Sequence, residues 1–274
     1  MSLRINQNID AFNSYRNLSV TQGQMSKSLE KLSSGFRINR AADDAAGLAI
    51  SEGLRSQVGG LKVAVRNAQD GISVVQTAEG ALTEVHGILQ RVRDLAVQGA
   101  NDSNSAEART NIETEIASIG AELDRIAEST EFNGTKLLNG SVASLNFQVG
   151  AQGDGNSSIA VVLDDVKATV DGIKDLKVTD FATAQASIES VDTAIEAIST
   201  TRAGLGASQN RLEHTINNVN VAIENLTASE SRIRDTDMAQ EMMSFTRAQI
   251  LSQAGTAMLA QANQAPQGVL SLLR

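Results

Sequence analysis

The residues in this sequence that could do chemistry are few. Adjacent aspartates, Asp43 and Asp44, lie between alanine pairs in the stretch RINRAADDAAGLAISEGL, Arg37 to Leu54. Paired carboxylates can share a proton or hold a hard cation. Neighbouring side chains on a helix diverge by about 100°, however, so these two cannot converge on one proton or one metal. Their position supports a humbler role, as caps or solvated groups near a helix start. His86 and His214 are the only histidines, and neither has a His or Cys at metal-ligand spacing. GAQGDGNSS contains a G-x-G, but no strand-to-helix context with a downstream acid follows, so it reads as a hairpin turn rather than a phosphate cradle. No G-x-S-x-G and no Walker pattern occurs, and with no cysteine there is neither thiolate chemistry nor a disulfide framework. No catalytic residue, cofactor site or metal site is expected, and the chain does not read as an enzyme.

The elements that would position such residues point elsewhere. The 274 residues suffice for one large or two small domains, yet only 3% are aromatic and there is a single proline, Pro266. A core of Leu, Ile, Val and Ala suits helices packed side by side, which proline would interrupt. From Ile188 to Leu226 the positions Ile188, Val191, Ile195, Ile198, Arg202, Leu205, Gln209, Leu212, Ile216, Val219, Ile223 and Leu226 step by threes and fours without a break. This is a heptad seam, and a helix of that span is about 58 Å long. A second seam runs through Val58, Leu61, Val65, Ala68, Ile72 and Val75. It resumes at Leu82, Val85, Leu89, Val92 and Ala96 after a slip near Glu79 that suggests local over-winding. A third helix carries Ile112, Ile116, Ile119, Leu123 and Ile126, with Ser105 placed to cap it.

The pattern changes between about 130 and 178, where Asn-Gly occurs twice and apolar residues alternate. Hairpins are expected, with Leu145, Phe147 and Val149 on one face and Ile159, Val161 and Leu163 on the partner. The two ends carry weaker seams, Ile5, Ile9, Phe12, Leu18, Met25, Leu29 and Leu32 at the start and Met242, Phe245, Leu251, Ala254 and Met258 at the finish. The expected fold is mainly α: an elongated antiparallel helical bundle or coiled coil with paired terminal helices and a small β-hairpin insert.

Charge narrows the partners. The net charge of −9 argues against nucleic acid and against a polybasic membrane anchor. Residues 1–40 nevertheless carry a net +4, and Ala248 to Leu273 holds no charged residue at all. The N-terminus has no apolar core of a cleaved signal peptide and no run of 18 apolar residues occurs, so composition alone gives a cytoplasmic location. An uncharged Gln- and Ala-rich helix is poorly solvated alone, and apolar seams at both ends exceed what one chain can bury. Partner copies could bury them, as a closed pair or, by a repeated heterologous contact, as a filament.

Longer motifs carry a family resemblance. INQNIDAFNSYRNL, SLEKLSSGFRINRAADDAAGLAISEGLRSQ, AQDGISVVQTAEGAL, LQRVRDLAVQGAN and EFNGTKLLNG resemble the N-terminal half of bacterial flagellin. TRAGLGASQNRLEHTINNV, ESRIRDTDMAQEM and ANQAPQGVLSLLR resemble its C-terminal half. The resemblance implies a core-domain subunit that self-assembles into the flagellar filament, the helical propeller of motility. Residues 1–40 with 238–274 would be the terminal helices of the inner tube, and 41–237 an outer helical domain holding the β insert. It implies export by the flagellar type III apparatus without a cleaved signal, hence an extracellular location, and as partners further copies, hook-associated junction and cap proteins and an export chaperone. It implies no cofactor. LQRVRDLAVQ is similar to the segment read by the host's Toll-like receptor 5, which places Arg91, Leu95 and Glu115 in a receptor and subunit-contact surface. Asp94 stands where the motif more often has Glu. Leu270, Leu272 and Leu273 match a C-terminal packing region, and Asp43, Asp44, Ala45 and Gly47 a spoke joint between inner tube and outer domain. A hook–filament junction protein and a soluble coiled-coil binding module are the alternatives.

Overall fold

The computed structural model describes residues 7–272, with side chains described through residue 264. Among the described residues, six α-helices carry most of the length: α1 (Ile9–Ser34), α2 (Ala45–Gly99), α3 (Ala106–Ser129), α4 (Val166–Val170), α5 (Phe181–Arg234) and α6 (Met238–Leu272). Four short strands form two antiparallel hairpins, β1 (Glu131–Phe132) with β2 (Thr135–Lys136) and β3 (Ser144–Gln148) with β4 (Ser158–Val162). The mainly α class is as expected, and every named strand lies within the 130–178 insert. That insert also contains α4, which the sequence pattern did not reveal.

The chain divides into two compact units, residues 57–224 and residues 1–56 with 225–274. The division falls inside α2 and α5, whereas the expected boundaries at 40 and 238 fall at the loops beside α1 and α6.

In the first unit, the buried line of α2 runs Gly71, Val75, Ala78, Leu82, Val85, Leu89, Val92, Ala96, Gly99. These steps alternate four and three without interruption, so α2 has no slip near Glu79. The apparent break arises because Gly71 and Ala78 occupy seam positions that a search for large apolar residues passes over. At Gly71 the helix meets the insert: a Cβ there would stand 3.1 Å from Phe147 and 3.2 Å from Leu212 of α5.

The facing line of α5 is Ala184, Ser187, Val191, Ala194, Ile198, Thr201, Leu205, Leu212. Alternate positions therefore shift by one from the expected Ile188, Ile195 and Arg202, which are half-buried. Small residues at 187, 194 and 201 let neighbouring segments approach closely. Their polar atoms are satisfied: Ser187 Oγ donates to the Lys177 carbonyl at 2.8 Å and Thr201 Oγ1 to Asp164 Oδ2 at 2.6 Å.

Local signals act as read. Ser105 Oγ accepts from the Ala108 amide at 3.2 Å and caps α3. Asn133 and Gly134, at φ 49° and 79°, make the tight β1–β2 turn. In the larger hairpin Leu145 faces Val161 and Phe147 faces Ile159. Ile159, Val161, Val149 and Leu163 join the core formed by α2, α3 and α5.

In the second unit α1 and α6 lie antiparallel. Asn8 Nδ2 donates to the Ala262 carbonyl at 2.7 Å near one end, and Lys31 approaches Glu241 at 3.7 Å near the other. The positions α1 turns inward are Ala11, Ser14, Leu18, Thr21, Met25, Ser28 and Leu32, and those of α6 are Glu241, Phe245, Ala248, Ser252, Gly255, Leu259 and Ala262. Both sets keep heptad spacing. They overlap the expected terminal seams only in part, because Ile9, Phe12, Leu29, Met242, Leu251 and Met258 are about half or more exposed. No helix among the described residues is long and apolar enough to cross a membrane.

Candidate functional site

The joint is built from the α1 C-terminus, the loop after it and the α5–α6 turn. Gly35, at φ 77°, ends α1 by donating its amide to the Lys31 carbonyl at 2.8 Å. The next residues lie against the end of α5. The Arg37 amide donates to the Arg234 carbonyl at 2.7 Å, the Thr236 amide to the Gly35 carbonyl at 3.0 Å, and Phe36 bridges to Asp235. Arg37 Nη2 donates to the Ile233 carbonyl at 2.6 Å.

Arg234 holds this clasp together. Its guanidinium lies 4.7 Å from the Phe36 ring centroid and 2.8 Å from Glu52 Oε1. Nothing in the spacing of Phe36, Glu52 and Arg234 pairs them in sequence, and the sequence reading missed all three. Arg234→Ala removes the cation–π contact and the ion pair together. We expect a local loss of about 1–2 kcal/mol, seen as roughly tenfold faster amide hydrogen exchange at residues 35–37 and 234–236 with little change elsewhere.

Asp43 and Asp44 do separate jobs, though not because a helix splays them: Asp43 lies in the turn before α2 and Asp44 immediately precedes its first residue. Asp43 Oδ2 accepts from the Arg40 and Asn39 amides at 3.0 and 3.3 Å. The Arg40 hydrogen bond is the main cause that holds its carboxyl below the ordinary aspartate range, with Lys27 and Lys31 adding a smaller pull. Asp44 Oδ1 accepts from the Gly47 amide at 2.8 Å, which caps α2. Gly47 is buried; a Cβ on it would stand 2.5 Å from Asp44 Oδ2 and 2.8 Å from Ile38 Cδ1. The small residues around it differ from expectation. Ala41, Ala42, Ala45, Ala46 and Ala49 are exposed, so their smallness serves no packing within the described chain.

The α1–α6 pair presents the second surface. Having turned Ala, Ser, Thr and Gly inward along with Leu and Met, it leaves Phe12 74%, Tyr15 63%, Met243 65%, Met258 62% and Ile250 60% exposed. A water-soluble helix pair would normally do the reverse.

The third surface lies on α2 and α3. Arg91 Nη2 meets Glu115 Oε1 at 2.7 Å, with the two side chains 57% and 44% exposed. Leu95 does not join them at the surface: it is 2% exposed. The reason is that α2 is flanked on both sides here, by α3 through Arg91–Glu115 and by α5 through Arg93–Asp192 at 2.6 Å, so its buried stripe widens to take in Leu95 beside Ala96. Leu270, Leu272 and Leu273 lie outside the described residues. Among the described residues no group of three His, Cys, Asp or Glu could hold a metal ion.

Long heptad-patterned helices, an outward apolar face on the terminal pair and a hydrogen-bonded joint define a structural subunit built to contact other molecules. The bacterial flagellin N-terminal helical region matches residues 5–143, and the bacterial flagellin C-terminal helical region matches residues 188–273. The chain belongs to the bacterial flagellin family, and is accordingly a structural subunit of the flagellar filament. It is 53% identical over 274 residues to a flagellin of Halalkalibacterium halodurans, covering 98% of this chain and 99% of that one. It is 51% identical over 306 residues to a flagellin of Bacillus subtilis, covering 99% and 100%. The crystal structure of Bacillus cereus flagellin superimposes with a TM-score of 0.51 at 34% identity, over 56% of this chain and 88% of that one.

Proposed function

We propose that the chain enters the filament through its terminal helix pair, with residues 1–40 and 238–274 forming the inner tube and 41–237 the outer part. The observation that carries this is the outward apolar face of α1 and α6, with Phe12 and Met243 largely exposed. Burying such side chains against other copies is favourable by about 1.5–3 kcal/mol each. Export through the type III apparatus with its chaperone, without a cleaved signal, places the assembled subunit outside the cell. Hook-associated junction and cap proteins then meet the ends of the polymer. The test is seeded polymerisation of purified chain followed by electron microscopy. Long extensions of the seeds are expected, and monomer that never extends them would refute the reading; extension that stops after a short collar would favour a junction protein.

The separate surface of α2 and α3 supports recognition by the host's Toll-like receptor 5, centred on the exposed Arg91–Glu115 pair. Leu95, being core, acts by holding α2 in place rather than by touching the receptor. Arg91→Glu sets two carboxylates against each other where an ion pair stood. Receptor signalling in reporter cells is expected to fall at least tenfold, with folding unchanged because an exposed pair contributes only about 0–1 kcal/mol. Unchanged signalling would detach this patch from the receptor.

A further inference from the structure

The net charge of the chain is distributed very unequally between its two units. Residues 57–224 hold 12 Lys and Arg against 23 Asp and Glu, a net of −11, while residues 1–56 with 225–274 hold 11 against 9, a net of +2. Packing many copies of a unit that acidic side by side costs electrostatic free energy unless cations from elsewhere on the chain offset it.

A groove of about 320 Å³ along the α1–α6 pair is placed to supply them. Its floor is small: Ser28 is 7% exposed and Ala248 4%. Its rim carries Lys27 and Lys31 from α1 and Arg247 from α6, with one carboxylate, Glu241, among them. Glu241 reaches only Lys31, at 3.7 Å. Asp43 lies close enough to feel the field of Lys27 and Lys31, but its hydrogen bonds go to the Arg40 and Asn39 amides.

Lys27 and Arg247 differ from the other described cations of their unit. Arg16 and Arg232 donate to neighbouring side chains, and the remainder form ion pairs. Among the described residues, neither Lys27 nor Arg247 has an ion-pair or side-chain hydrogen-bond partner. Ser28 likewise makes no side-chain hydrogen bond among the described residues, so its hydroxyl is left for an occupant of the groove.

Resting on the assembly reading above, we propose that this groove takes Asp or Glu side chains from the 57–224 unit of a second copy. Lys27 and Arg247 clamp the carboxylate from the two helices and Ser28 donates from the floor. The contact is specific in sign: it joins the less acidic unit of one copy to the acidic unit of another. It thereby favours a head-to-tail, heterologous arrangement over like-with-like pairing.

The test compares seeded elongation of the native chain with the double variant Lys27→Glu/Arg247→Glu across ionic strength, with circular dichroism reporting helix content. Because the reversal could disturb α1 and α6 themselves, Lys27→Gln/Arg247→Gln is run beside it. At low salt the reversal is expected to slow elongation at least tenfold and the neutral pair by a smaller factor. The differences should shrink toward unity near 1 M salt, where screening acts over about 3 Å. Carbodiimide coupling in filaments grown from mixed isotope-labelled and unlabelled copies should join Lys27 to carboxylates of residues 57–224 of the other copy. Native chain that elongates while both variants match it at every salt overturns the groove contact and leaves the assembly reading standing, as do couplings of Lys27 confined to Asp43 or Glu241 of its own copy. Native chain that extends no seeds removes both.

Discussion

Replacing Phe12 and Met242 together by serine is expected to raise the critical concentration for filament growth at least tenfold while leaving the folded monomer intact. Phe12 is 74% exposed on α1 and Met242 50% exposed on α6. Neither fills the seam between the two helices, which runs through Leu18, Met25 and Leu32 on one side and Phe245, Ala248 and Leu259 on the other. Their truncation therefore removes only the smaller part of what the single chain buries, about a quarter of Phe12 and half of Met242. Full burial of such a side chain is worth about 1.5–3 kcal/mol. The exposed fractions leave about three quarters of that for Phe12 and half for Met242 to be gained in the filament, and each 1.4 kcal/mol changes an association constant about tenfold. The two losses at the lower bound give about 2 kcal/mol, or somewhat more than one decade in the free-subunit concentration that coexists with polymer. Sedimentation of filaments from a dilution series measures it directly. A contrast variant, Leu18→Ala, strikes the seam instead and should appear first as lost helical stability. Unchanged critical concentration in Phe12→Ser/Met242→Ser would mean that this face stays wet in the filament, and the assembly reading would fail with it.

What the sequence made visible divides along a physical line. Heptad and alternating periodicities located α2, α3, α5 and the β3–β4 hairpin, because large apolar residues recur there at the spacing of each element. Local chemistry located the Ser105 cap and the Asn133–Gly134 turn. The misses share one cause. Seam positions held by Gly71, Ala78, Ser187, Ala194 and Thr201 are buried for their small volume, which carries no hydrophobic signal. Tracing only large residues therefore shifted one seam by a residue and broke another that is whole. The same bias assigned Phe12 and Met242 to the inside of a helix pair whose inside is lined by Ala, Ser, Thr and Gly as well as Leu and Met. Leu95 was misplaced for a complementary reason: a single-stripe reading of α2 takes no account of its two flanking helices. The clasp was out of reach altogether, since Arg37 and Ile233 are 196 residues apart and only the folded chain brings them together.

The joint supplies the second large effect. Gly47→Leu is expected to prevent normal filaments, and Gly53→Ala, six residues further along the same helix, to be neutral or mildly stabilising. The two glycines share α2 and differ in surroundings. A Cβ at Gly53 meets nothing within 4 Å, so alanine there gains up to about 1 kcal/mol of helix propensity. A Cβ at Gly47 would overlap Asp44 Oδ2 at 2.5 Å and Ile38 Cδ1 at 2.8 Å. Ile38 is 1% exposed and has no room to retreat. Asp44 could swing away only by releasing the Gly47 amide, which uncaps α2 at about 1 kcal/mol. Overpacking adds about 1–3 kcal/mol, and the leucine branch enlarges the overlap. The strain falls where α2 leaves the joint, so it is relieved by changing the helix's exit direction, an error that every added subunit repeats. Electron microscopy of seeded growth should show no filaments or filaments of altered curvature for Gly47→Leu. Thermal unfolding should place its Tm below that of the native chain and that of Gly53→Ala at or above it. Normal waveform and length in Gly47→Leu filaments would show that the close approach of Gly47, Asp44 and Ile38 does not govern subunit geometry.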